Sequence, residues 1–281
     1  MEKLKSYWLD FFASDQNKEN WWSRKRKLFT ERNAKIVQIK GNGQLYRKLR
    51  YIDERSYSYL LHLRFLVKQR EKLYMEEVIS PYTFSMVNGE IIDHQQHHVW
   101  IQNFKGKVVP DMDTETSCKR AVYDRQRAVQ YAERWWNSYN PAYRTFEVDC
   151  TNYVSQCLFA GGAPMRGAPI RERGWWYGKD SWSFSWAVAH SMRWYLSGST
   201  QGLRGEEKES PEELIPGDVI CYDFSGDGRW DHNTIVVAKD AYGMPLVNAH
   251  TDNSRNRYWS YEDSSAWTPQ IQYKFFRIHT E

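Results

Sequence analysis

Cys150 opens the stretch of this 281-residue chain whose residue types could most readily do chemistry: Val148-Asp149-Cys150-Thr151-Asn152-Tyr153-Val154-Ser155-Gln156-Cys157-Leu158-Phe159-Ala160-Gly161-Gly162. Val154, Cys157, Leu158 and Gly161 recur at helical spacing, and Gly161-Gly162 closes the helix as a C-cap pair. Asp149 and Thr151 are natural helix-start residues, so Cys150 is expected at or beside a helix N-terminus. Unpaired N–H groups there carry partial positive charge, which favours thiolate over thiol and can receive an oxyanion. A cysteine so placed is either a nucleophile or a core residue, and the local sequence leaves both open. Cys157 lies two turns deeper and reads as core packing, Cys221 sits in an apolar run, and Cys118 falls in a polar stretch. The four cysteines form neither a disulfide framework nor a paired CxxC zinc pattern.

Imidazoles that could serve such a thiol lie downstream. Leu214-Ile215-Pro216-Gly217-Asp218-Val219-Ile220 reads as a tight turn into a buried strand, and the loop Asp223 to Asp231 follows. His232 then opens the apolar strand Asn233-Thr234-Ile235-Val236-Val237. A histidine at a strand mouth faces a cleft or merely caps the strand. A third strand, Pro245 to His250, puts Leu246, Asn248 and His250 on one face by its period of two. A group on that face could orient the His232 ring from the neighbouring strand.

The order of a cysteine at a helix start, a histidine at a strand start and a polar residue on the next strand is that of papain-like hydrolases. Within that group, Asp149-Cys150-Thr151-Asn152, the Pro216-Gly217-Asp218 turn, Trp230-Asp231-His232 before an apolar strand, and Asn248-Ala249-His250-Thr251-Asp252-Asn253 resemble the bacterial amidase-domain family. That family is similar to the wall-hydrolysing NlpC/P60 and CHAP enzymes. The resemblance covers about residues 121 to 281. It implies an α+β fold class with a papain-like (NlpC/P60-type) C-terminal domain built on an antiparallel sheet. It also implies a cysteine-nucleophile amide hydrolase acting on cell-wall peptide or an N-acylmuramoyl–alanine bond. Residue by residue, Cys150 matches the nucleophile and His232 the base; His250 fits the third position best, with Asn248 and Asp252 as alternatives. The implied partner is a peptide or peptidoglycan-like substrate, with no cofactor or catalytic metal. Two other readings use the same residues: a non-catalytic wall- or peptide-binding module, and an acyltransferase that forms the same thioester.

The elements that must position this site begin at about residue 121. Residues 1–110 read as an α+β module, a helix over 4 to about 32 followed by a curved meander. Its expected strands are Ile36–Lys40, Leu45–Tyr51, Tyr57–Val67, Lys72–Met75 and a hairpin over Tyr82–Ile92, with Gly41-Asn42-Gly43 and Asn88-Gly89 as turns. The polar run 111–120 is the expected linker, and 121–281 the catalytic domain. His94, His97 and His98 crowd the end of a hairpin, where exposed decoration competes with a metal site. Asp223-Phe224-Ser225-Gly226-Asp227-Gly228 matches half a calcium loop but lacks its closing Glu, so a plain turn competes there. Trp175-Trp176-Tyr177 and Trp182 to Trp186 either roof the cleft or fill the core.

Bulk composition sets outer limits. The chain carries 14 Trp, 19 Tyr and 12 Phe, enough to build a large core. The net charge of +4 is too small to signal nucleic-acid binding. No run of apolar residues is long enough to span a membrane, and the first residues lack the core of a secretory signal, so a cytoplasmic location is expected.

Overall fold

Branched and aromatic residues with alternating polar partners favour extended chain, and here they hold it longer than the glycines suggest. A computed structural model of the protein describes residues 2–13, 19–50, 55–97 and 122–280. His98, Cys118 and the linker expected at 111–120 lie outside those residues. The chain forms two compact units, Met1–Val99 with Tyr261–Ser265, and Trp100–Ser260 with Ala266–Glu281.

In the first unit four strands, β1 (Lys35–Arg50), β2 (Arg55–Gln69), β3 (Lys72–Val87) and β4 (Glu90–Gln96), pair in sequence order as an antiparallel meander. Gly41-Asn42-Gly43, expected as a turn, lies inside β1 opposite Leu63, His62 and Leu61. Asn88 and Gly89 do turn the chain, with φ of 49° and 81°, the left-handed pair that a two-residue hairpin requires. The expected single helix is two, α1 (Glu2–Ala13) and α2 (Trp21–Glu31). Asn20 starts the second: its side chain accepts from Trp22 N and Ser23 N, each at 2.9 Å, while Ser23 Oγ accepts from Asn20 N at 3.0 Å.

Both helices lay their aromatic faces on the sheet, where Trp8, Trp22, Phe29, Tyr59 and Phe65 form the core. Trp8 Nε1 donates to Tyr59 Oη at 2.8 Å. His94 lies 2.6 Å from the same hydroxyl and stacks on Tyr82 with centroids 5.3 Å apart. Its ring is therefore a half-buried core member and not the exposed hairpin decoration expected. Burial pushes its pKa down to about 4. Among the described residues, no three His, Cys, Asp or Glu side chains gather as a metal site.

Charge is also buried in this unit. Lys25, 4% exposed, sits between Glu76 and Asp263, with 2.8 Å to Asp263 Oδ2, and Arg32 approaches Glu76 at 3.7 Å. Arg24 donates to the carbonyls of Glu262 at 2.7 Å and Ser264 at 2.8 Å.

The second unit contains α3 (Arg125–Trp135), α4 (Cys150–Ala160), α5 (Phe184–Ala187), α6 (Ala189–Gly198), β5 (Leu203–Lys208), β6 (Val219–Asp223), β7 (His232–Lys239), β8 (Pro245–Ala249), β9 (Asn253–Tyr258) and β10 (Gln272–Thr280). The strands run in the order β9-β8-β7-β6-β10-β5, each pair antiparallel. Ala128 and Ala132 of α3, Val154, Cys157 and Leu158 of α4, and Met192 and Leu196 of α6 meet Val219, Cys221, Ile235, Phe276 and Ile278 of the sheet. The Pro216-Gly217-Asp218 turn locks one end. Asp218 is fully buried, and its carboxylate accepts from Ile215 N at 2.8 Å, Ile278 N at 3.0 Å, Arg277 Nε at 2.9 Å and Arg125.

The papain-like fold expected of the C-terminal half is not what the chain forms. Among the described residues the chain is mostly antiparallel strand, with ten strands against six α-helices, and no papain-like fold is shown. The reason is physical: the helical patterns of the second unit yield pieces of 11 residues or fewer, while its six described strands, β5 to β10, join one antiparallel ladder.

Replacing Lys25 with Met should leave Glu76 and Asp263 as buried carboxylates sharing less positive charge. Urea unfolding should show a loss of about 3–5 kcal/mol. A loss below about 1 kcal/mol would mean that the charged cluster contributes little.

Candidate active site

Helix α4 is buried along nearly its whole length, from Cys150 to Leu158, so each of its polar side chains needs a partner inside the protein. Asn152 Oδ1 accepts from Trp186 Nε1 at 2.8 Å. Ser155 Oγ donates to Trp186 O at 2.8 Å and accepts from Trp175 Nε1 at 3.0 Å. Trp175 and Trp186 are fully buried. The aromatic segment thus fills the core and fixes α4.

Asp149 precedes the helix but does not cap it with its side chain. Its Oδ1 accepts instead from Phe146 N and Asn152 Nδ2, each at 2.9 Å. Its Oδ2 lies 2.7 Å from His250 Nδ1. The other ring nitrogen of His250 lies 2.8 Å from the carbonyl of Trp135, at the end of α3. Both ring nitrogens thus lie within hydrogen-bond distance of an oxygen. Tyr153 stacks on it with centroids 4.1 Å apart. His250 therefore ties the end of β8 to the start of α4 and the end of α3, and neither nitrogen is left to orient another imidazole.

The Cys150 sulfur lies at the helix start, 1% exposed. The Asn233 backbone N–H and the hydroxyls of Thr151, with oxygen 3.7 Å away, and Thr251 hydrogen-bond to it. Asn233 Nδ2 also donates to Thr151 Oγ1 at 3.1 Å. These three residues are the site members that sequence reasoning missed. Thr151 and Thr251 were visible as neighbours of Cys150 and His250, while Asn233 was hidden behind the more conspicuous His232.

His232 does open β7, as expected. Strand alternation, however, turns Asn233, Ile235 and Val237 toward α4 and the core that contains Cys221. His232 lies on the opposite face, its ring 5.7 Å from Tyr222 and 6.0 Å from Phe224 between centroids. The structure therefore gathers Cys150, Thr151, Thr251 and Asn233, and strand alternation puts the His232 side chain on the other face of β7 from that of Asn233. Of the alternatives for the third position, Asn248 donates to Glu133 at 2.9 Å and accepts from Asn256 N at 2.8 Å, facing α3. Asp252 is half-exposed in the turn after β8.

Cys150 and His232 are both pushed toward their neutral forms. Burial raises the Cys150 thiol pKa, more than the N–H of Asn233 and the hydroxyls of Thr151 and Thr251 lower it. Burial, with Arg257 beside it, lowers the His232 pKa to about 3. Burial thus works against the thiolate that a helix N-terminus favours. Cys157 and Cys221 are buried core thiols whose pKa values burial also raises. In the half-calcium loop, Asp223 accepts from Gly226 N at 2.8 Å and Gly228 N at 2.7 Å, so both oxygens already serve a plain turn.

Comparison with known proteins matches residues 122–276 to the family described as "Putative amidase domain". An uncharacterized protein of Bacillus subtilis, YhbB, is 48% identical over 264 residues, covering 91% of this chain and 85% of the relative. A second from the same organism, YjcM, is 28% identical over 153 residues, 51% of this chain and 34% of that protein. No solved structure matches.

Two outcomes follow from the protonation states. Iodoacetamide should modify native Cys150 more slowly than free cysteine at pH 7, with the rate climbing only above the ordinary thiol value of 9.0; faster labelling at neutral pH would contradict the burial argument. The second concerns acid stability. A histidine whose folded pKa lies below its unfolded 6.5 contributes stability above pH 6.5 that is lost as pH falls toward about 3. Asp231, raised by burial to about 6, acts oppositely, losing stability as pH rises through that value. His232→Gln should flatten the fall of Tm below pH 6.5, removing on the order of a few kcal/mol of pH dependence. An unchanged slope would show that His232 is hydrated.

Proposed function

Because the chain belongs to this amidase-domain family, we propose that it is an amide hydrolase in which Cys150 is the attacking thiol. The observation that carries the reading is the start of α4, where the sulfur sits at a helix end that the Asp149 side chain does not cap, among the Asn233 N–H and two hydroxyls. Such a position offers N–H donors where negative charge develops during attack on a carbonyl. His232 serves as base. It neighbours Asn233 in the chain, is neutral and can accept a proton, but its ring must leave Tyr222 and Phe224 to reach the sulfur. Turnover in this reading begins with opening at the mouth of β7.

The steps balance as follows. His232 takes the thiol proton as sulfur bonds to the amide carbon. The oxyanion is held by the Cys150 N–H. The C–N bond breaks, and the protonated imidazole gives its proton to the leaving amine. Water, deprotonated by the same ring, then cleaves the thioester and releases the acid. His250 acts as a positioning residue through Asp149. The likeness of the motifs to wall-hydrolysing NlpC/P60 and CHAP enzymes supports a peptide or muramoyl-peptide substrate.

A second reading, a binding module without turnover, is favoured by the burial of the thiol, which pushes it toward its neutral form. The test is product analysis on a panel of muropeptides and N-acyl amino acids. The hydrolase reading expects turnover that falls by roughly 10⁴ or more in Cys150→Ala, with the fold retained by circular dichroism. Undiminished hydrolysis by that variant would remove Cys150 from the mechanism. Substrate binding without any product from the wild type would favour the module. His250→Asn should lower both kcat and Tm, since it frees Asp149.

A further inference from the structure

Glycine inside a strand loosens it, so two glycines on one face of β1 call for a reason. The opposed pairs Ile39–Phe65, Gly41–Leu63 and Gly43–Leu61 put Gly41 and Gly43 on the face that carries Leu61, Leu63 and Phe65. Neither has the left-handed φ that demands glycine. Nor does crowding demand it. A Cβ on Gly41 would meet Leu63 Cδ2 at 3.4 Å and Leu61 Cδ1 at 4.0 Å, and one on Gly43 would meet the Tyr59 ring at 3.5 Å, all ordinary contacts. No atom of α1 comes within that range. The missing side chains instead leave a slot between α1 and β1.

That slot is a cavity of about 460 Å³, within the range of small-molecule sites at about 300–1,000 Å³. From Ile39 to Gly43 it runs along the strand for about 13 Å, four steps of roughly 3.3 Å. Its walls are apolar: Leu4, Trp8, Leu9 and Phe12 of α1 face Leu61 and Leu63 across the bare strand. Leu9 is 60% exposed, an apolar side chain left at the lip. Lys5 lines the slot from the exposed side of α1 and makes no ion pair with a described residue. The slot is narrow, long and greasy, with an ammonium at its edge that no described carboxylate pairs.

We propose that the first unit binds a single-chain carboxylic amphiphile, its alkyl chain lying along Gly41 and Gly43 and its carboxylate facing Lys5. Extended methylene chain fits a groove that a side chain would fill, and the carboxylate gains a counter-charge that costs no existing pair.

Calorimetric titration of the full chain with dodecanoate, below its micelle concentration, tests the assignment. Saturable binding is expected at one site. Gly41→Val with Gly43→Val should fill the slot and weaken binding at least roughly tenfold, about 1.4 kcal/mol. These changes suit a strand, so Tm should hold or rise. Lys5→Gln should weaken dodecanoate but leave dodecanol unchanged. No binding by the wild type, or undiminished binding by the folded double variant, overturns the site. Equal response of acid and alcohol to Lys5→Gln overturns the carboxylate contact.

Discussion

The Asp149 carboxylate is where the second unit is knotted together. One oxygen takes two donors, from the loop before α4 and from Asn152 within it; the other meets His250 at the end of β8, and that ring reaches on to α3. A carboxylate this deeply buried is tolerable only when its acceptor sites are filled. Filling them fixes three elements at once, and the position of Cys150, one residue along, follows. The same knot aligns β7 and β8, which bring the Asn233 N–H and the Thr251 hydroxyl to the sulfur.

At that sulfur two effects compete. A helix terminus favours the anion by about 0.3–1 kcal/mol when exposed, and by up to about 2 when partly buried. Removing a thiolate from water costs more, so burial wins and the proton stays. The imidazole of His232 obeys the same rule with the opposite charge. Burial thus pushes both side chains toward neutrality, and water access is the variable that would change both.

What the sequence disclosed depended on whether a signal was local. The helix over Cys150–Ala160, its glycine stop, the Asn88-Gly89 turn and the strand opened by His232 are all written in neighbouring residues, and each forms. Gly41 and Gly43 misled because a turn and a side-chain-free strand look alike until Leu61 and Leu63 supply the ladder. His94 looked exposed because its partners, Tyr59 and Tyr82, come from other strands. Period two was applied to β8, where it grouped Asn248 with His250. Applied to β7 as well, it separates His232 from Asn233, and the core residues Ile235 and Val237 then indicate which of them faces α4.

Asp263 carries a consequence for biosynthesis. It lies 238 positions after Lys25, yet its carboxylate belongs to the same buried cluster, and the carbonyls beside it take the donors of Arg24. The meander leaves the ribosome long before these residues are translated. Until they arrive, the lysine has only part of its counter-charge and the arginine lacks these two carbonyl acceptors. The portion of the molecule made first is thus completed last, and a fragment that stops after β4 would lack a piece of its own interior.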